Sequence, residues 1–175
     1  MKKQVNVFDY AGHICSSMKK GVLLTTASGE KVNTMTIGWG HVGIEWGRSI
    51  FIAYVRESRF TKQMLEENGE FTVNIPYGEC DGKILGYCGS RSGRDTDKIK
   101  DMNLTLEQPS TISVPGIKEL PLTLECKVIY KQEQDLSQIP EDILQRFYPT
   151  EESTGRPDGH TVYYGEILDA YLIEN

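Results

Sequence analysis

Asn33-Thr34-Met35-Thr36-Ile37-Gly38-Trp39 and, about twenty residues on, Val55-Arg56-Glu57-Ser58-Arg59-Phe60-Thr61 decide how this chain reads. The first stretch is small, β-branched and apolar, the composition of a strand against which a flat molecule can lie. Its backbone can offer donors and acceptors to a heterocycle edge, with Met35 and Trp39 as apolar cover. The second stretch sets two arginines and two hydroxyls where a strand gives way to a helix. The first amides of a helix lack intrahelical partners and carry the positive end of its dipole. An arginine fork there matches two phosphate oxygens. Together the two stretches describe a mononucleotide site. Separately, each also fits a blander reading: an ordinary barrel strand, and a plain N-cap with solvated arginines.

The surrounding pattern is mostly strand. Val22 to Ala27, bounded by Gly21 and Ser28-Gly29, should turn at Ser28-Gly29-Glu30-Lys31 into a second strand running to about Trp39. Ile50 to Val55 is almost wholly apolar, as for a strand buried on both faces. Ser58 is the expected N-cap of a helix carrying Phe60, Met64 and Leu65 on one side and stopped at Asn68-Gly69. Phe71 to Ile75, Pro121 to Gln134 and Thr161 to Ile173 read as further strands. Residues 81 to 101 read as one or two short helices broken between Gly89 and Gly93, and Ile139 to Tyr148 as another. Short strands with few helices imply a closed or partly closed antiparallel barrel.

At 175 residues the chain fits one domain, 1–175. Its 38% hydrophobic and 25% charged content is that of a globular protein, and its net charge of -6 disfavours nucleic acid and anionic membrane. No apolar run is long enough to span a bilayer. The N-terminal lysines have no apolar segment behind them, so no secretory signal is expected and a cytoplasmic location is. Cys15, Cys80, Cys88 and Cys126 form no CxxC pair and should stay reduced there. His13, His41 and His160 have no metal-ligand spacing, so no metal is expected. Gly89 to Lys98 is glycine-spaced, hydroxylic and basic. It can present amides and cations to an anion or be a surface connection, with Asp95 as a cap for the next helix. It fits neither a Walker nor a Rossmann pattern.

Taken together, NTMTIGWGHVGIEW, VRESRFT, FTVNIP, CGSRSGRDTDK, LPLTLECKVIY and GHTVYYGEI succeed one another along residues 15 to 173. This succession resembles the flavin reductase-like family, and within it the flavoredoxin branch of the FMN-binding split barrels. The resemblance implies a mainly β fold, a six-stranded antiparallel Greek-key split β-barrel with a few short helices. It also implies a homodimer with FMN near the subunit interface. Carried over by position, Met35, Thr36 and Ile37 would face the isoalloxazine ring. Arg56, Ser58, Arg59 and Thr61 would hold the phosphate, with added cationic contacts from Arg94 and Lys98. His160 matches a loop histidine close to the flavin or nicotinamide, and is the catalytic candidate. The implied activity is NAD(P)H-dependent flavin reduction. The alternative is an FMN electron carrier supplied by a protein partner. The acceptor would be a monooxygenase or a redox protein.

Overall fold

A computed structural model describes residues 1–152 and 154–174. In chain order its elements are β1 (Lys2–Gln4), α1 (Ala11–Met18), β2 (Val22–Ser28), β3 (Lys31–Ile37), β4 (Gly40–Glu45) and β5 (Arg48–Arg56). Next come α2 (Phe60–Asn68), β6 (Glu70–Ile75), α3 (Gly82–Ser90), α4 (Lys98–Asp101), β7 (Leu106–Glu107) and β8 (Gly116–Ile117). The chain closes with β9 (Leu122–Glu133), α5 (Glu141–Phe147) and β10 (His160–Ile173). Among the described residues no helix is long and apolar enough to cross a membrane.

The hairpin behind the opening stretch forms as expected. β2 and β3 pair from Val22↔Ile37 to Ser28↔Lys31, leaving Gly29-Glu30 as the loop. Gly29 adopts φ +56°, which glycine tolerates at the first position of such a turn.

The main sheet is antiparallel and runs β3-β2-β6-β9-β10-β5-β4, with β1 added on β10. Laid flat at about 4.8 Å per strand, its ends would lie roughly 29 Å apart. Yet β3 and β4 are joined only by Gly38-Trp39, a link that spans at most about 11 Å. The sheet therefore rolls into a barrel, and among the described residues no ladder crosses the seam between β3 and β4. Register shifts in β10 at Tyr164/Gly165 and Ile167/Asp169 sharpen the curl. At Gly165 a Cβ would stand 2.4 Å from Phe71 Cζ, so the bend passes directly over the core ring. Leu24, Phe51, Phe71, Leu124 and Tyr163 fill the interior. A second cluster of Leu23, Ile84, Cys88, Leu104 and Ile117 seats α3 outside β2, which explains why β2 is buried on both faces.

The mainly β split barrel is the architecture read from the sequence, with eight strands in its sheet rather than six. β4 has no strand signal in the sequence, because two glycines and an exposed Ile44 dilute its alternation. The short α1 and β1 had no periodic signal. β3 stops at Ile37, before Trp39. Two cap assignments are corrected. α2 is capped by Arg59 in extended conformation, because Ser58 turns instead to Asp158. α4 is capped by Asp97, which accepts from the Lys100 amide at 3.1 Å, rather than by Asp95.

Candidate functional site

β3 lies at an edge of the sheet, so half of its backbone groups are free of ladder partners. Ser28↔Lys31 closes the hairpin, and in an antiparallel pair the bonded residues alternate. Asn33, Met35 and Ile37 therefore bond to β2, while Thr34 and Thr36 turn their amides and carbonyls outward. The Thr34 carbonyl accepts from Lys98 Nζ at 2.8 Å. Thr36 anchors α3 through its hydroxyl, which donates to Leu85 O at 2.6 Å, and its backbone edge borders open space.

Two recesses adjoin along this edge. The first, about 150 Å³, is bordered by Met35, Thr36, Ile37, Trp39, Arg56 and His160. The second, about 180 Å³, lies toward the α3–α4 connection and includes Ser58, Thr61, Arg94 and Lys98. Met35, Thr36 and Arg59 border both. The residues named for the flavin site, Met35, Thr36, Ile37, Arg56, Ser58, Arg59, Thr61, Arg94, Lys98 and His160, each border one or both of these recesses.

Their states differ. Arg56 donates to Asp158 O at 2.6 Å and Phe147 O at 2.9 Å, and its guanidinium lies 5.3 Å from the Tyr148 ring centroid. It clasps the segment before β10. Ser58 gives its amide (3.0 Å) and its hydroxyl (2.7 Å) to the Asp158 carboxylate. Lys98 is 4% exposed and donates to Cys88 O (3.0 Å) as well as Thr34 O. Burial, assisted by the Arg59 guanidinium, lowers its pKa. Arg94 donates one N–H to Ser58 O at 2.9 Å and stacks on Phe60 at 5.4 Å. The Thr61 hydroxyl accepts from Asn33 at 3.0 Å and keeps its own proton to donate. Among the described residues Arg59 has no carboxylate within ion-pair reach.

His160 is the first residue of β10, not a loop residue, and is 6% exposed. Burial first, then the Arg56 guanidinium, pushes its pKa down to about 4. The imidazole is therefore neutral at pH 7. Tyr148 Oη donates to Gln134 Oε1 at 3.0 Å and lies 3.0 Å from His160 Nδ1. With the phenolic proton so used, Nδ1–H donates to Tyr148 and Nε2 is left as the acceptor. Trp39 packs 5.0 Å from the His160 ring and 5.4 Å from Phe147, walling this end.

A model of the flavin reductase like domain matches residues 15–175. The chain belongs to the flavin reductase-like family. An uncharacterised protein of Archaeoglobus fulgidus is 31% identical over 147 residues, covering 83% of this chain and 80% of that one. The flavoredoxin of Methanosarcina acetivorans superposes with a TM-score of 0.65 at 27% identity, over 88% of this chain and 68% of that one. The flavoredoxin of Desulfovibrio vulgaris (Miyazaki F) gives the same TM-score at 22% identity, over 88% and 69%, and supports the fold. In this flavin reductase-like barrel Tyr54 borders the first recess although it lies outside the stretches that the sequence marks, in an apolar strand that reads as core throughout. Asn33, from the strand-edge stretch, and Ser92, from the glycine-spaced loop, border the second, and Asn33 is bonded there to Thr61.

Proposed function

We propose that the two recesses form one groove for FMN and that the protein is an NAD(P)H-dependent flavin reductase. Arg59 carries this reading. It borders both recesses, stands at the N-terminal end of α2, and among the described residues no carboxylate neutralises it. On a chain of net charge -6, a bare guanidinium beside Arg94 and a helix start is a site for a dianion.

The donor set fits the group. Arg59, the remaining N–H groups of Arg94, the Thr61 hydroxyl and the first α2 amides suit a phosphate monoester. The outward backbone of Thr36 suits a pyrimidine edge and Trp39 gives apolar cover, while Met35 and Ile37 back the strand from the barrel core. Arg56, Ser58 and Lys98 serve as positioning residues. Arg56 and Ser58 fix the segment ending at Asp158, and Lys98 ties α3 to β3. Bound FMN would supply the hydride-accepting centre, so the chain needs no acid–base pair of its own. Its residues orient the ring, exclude water and keep the neutral His160 imidazole at the Trp39 end. His160 is proposed as the catalytic candidate there, presenting an acceptor nitrogen at neutral pH.

The reading includes a homodimer in the cytoplasm. The exposed Ile44, Trp46 and Tyr130, with Trp46 and Tyr130 rings 6.0 Å apart, offer an apolar surface for a second copy. Steady-state oxidation of NADH and NADPH by the FMN-loaded protein tests the activity. A second reading, an FMN electron carrier reduced by a protein partner, is favoured by the 27% identity to a flavoredoxin. A carrier would stay oxidised with either nucleotide. The electron acceptor in either case would be a monooxygenase or a redox protein.

A further inference from the structure

We propose that Tyr148 and Gln134 are positioning residues that hold His160 with its acceptor nitrogen toward the groove, so that the Trp39 end takes a ligand group bearing N–H or O–H and turns away a carboxylate; this rests on the flavin reductase reading for the ligand that comes there. His160 stands between two spaces. One is the recess it shares with Thr36, Trp39 and Arg56. The other, about 530 Å³, lies on the Gln134 side and is bordered by Arg156 and the carboxylate residues Glu57, Glu133, Glu151 and Asp158. Tyr148 is 5% exposed, and its hydroxyl joins Gln134 Oε1 to His160 Nδ1, 3.0 Å from each. The two nitrogens of an imidazole point to different sides of the ring. With Nδ1 turned to the Tyr148–Gln134 pair, Nε2 faces away from it, toward the recess, and has no hydrogen-bond partner among the described residues.

The sense of this chain of bonds starts at Gln134. Its backbone N–H donates to His160 O at 3.0 Å, which seats it beside the imidazole. Its carboxamide can present either an oxygen or an NH2 group to Tyr148. The space on its far side sets four carboxylate residues against Arg156. That field draws the NH2 group outward and leaves Oε1 for the phenol. Tyr148 then gives its one proton to Gln134, and its oxygen accepts from His160 Nδ1–H. A neutral imidazole carries a single N–H, so Nε2 keeps its lone pair. The phenol is itself held in place. The Tyr148 amide donates to Leu144 O at 2.8 Å, and the Arg56 guanidinium bonds Phe147 O and lies over the Tyr148 ring. An N–H or O–H of the ligand satisfies Nε2, whereas a carboxylate oxygen meets a second lone pair with no proton between them. Neither Tyr148 nor Gln134 borders the two recesses, so their effect on a ligand passes through His160.

Hydrogen–nitrogen correlation spectra of the histidine rings in the full-length protein at pH 8 read the tautomer, and His160→Gln assigns the signal. The native chain should carry the proton on Nδ1. Gln134→Leu leaves the phenol without its acceptor, so the phenolic proton turns to Nδ1 and the ring proton moves to Nε2. Tyr148→Phe should also lose the Nδ1–H form. Gln134→Glu restores an acceptor and should keep the native tautomer. Kinetics then use two reductants, NADH and its nicotinate analogue, which differ in a carboxamide against a carboxylate. The preference for NADH, read in KM, should fall at least about tenfold in Gln134→Leu and hold in Gln134→Glu, with FMN affinity within about twofold in each. Comparison between variants cancels the intrinsic difference between the reductants, and retained FMN binding shows that each variant is folded. A native proton on Nε2, a tautomer unmoved by Gln134→Leu, or a flipped tautomer with an unchanged preference overturns the inference. Failure of the unaltered protein to bind FMN or to oxidise NADH overturns the reading beneath it instead, and the tautomer is still read without flavin.

Discussion

Asp158 grips Ser58 twice, accepting its backbone amide at 3.0 Å and its hydroxyl at 2.7 Å. This contact joins the approach to α2 with the segment before β10. It also commits the Ser58 amide and hydroxyl to Asp158, so neither is free for a ligand. Ser58→Ala should therefore lower stability by about 0.5–1.5 kcal/mol, the usual worth of one hydrogen bond, and leave FMN affinity nearly unchanged. Urea unfolding and a flavin titration on the same variant check both halves.

Arg59 is expected to behave in the opposite way. Arg59→Ala removes a guanidinium that makes no side-chain hydrogen bond among the described residues, so unfolding by urea should change little. FMN binding should weaken by about 1.5–3 kcal/mol, or roughly 10- to 150-fold. An unchanged dissociation constant removes Arg59 from the anion site.

How far could these roles be read from the sequence? Residue type and spacing single out Arg56, Ser58, Arg59, Thr61, Arg94 and Lys98, which border the two adjoining recesses, because a strand-to-helix turn and a glycine-spaced loop are local signals. What spacing could not carry was each side chain's partner. The bonds of Arg56 to Asp158 and of Ser58 to Asp158 bridge about one hundred positions. The burial of Lys98 depends on α3 folding over β3. The long strands were legible because they alternate or are wholly apolar. β4, with two glycines over six residues, carries too little hydrophobic pattern to be seen.

Lys98→Met should act on stability. The ammonium is buried and satisfies Thr34 O and Cys88 O, and its loss leaves two carbonyls without that donor. A destabilisation of about 2–4 kcal/mol is expected, measured by urea unfolding.

His160 gives a pH signature. Its pKa in the folded chain is about 4, below the ordinary 6.5. Between these values the unfolded chain holds a proton that the folded chain refuses, so stability rises with pH across that window and is flat for this group above it. Acidification from pH 7 to 4 should cost on the order of 2–3 kcal/mol through this residue. Comparing urea midpoints across pH 4–7 with those of His160→Gln checks this, since the variant should lose that part of the slope.

The most direct measurement is the visible spectrum of the purified protein titrated with FMN, and then with NADH or NADPH without oxygen. A saturable shift of the flavin band, then bleaching on addition of nucleotide, is the expected result. A spectrum identical to that of free FMN at every ratio contradicts a flavin groove along β3.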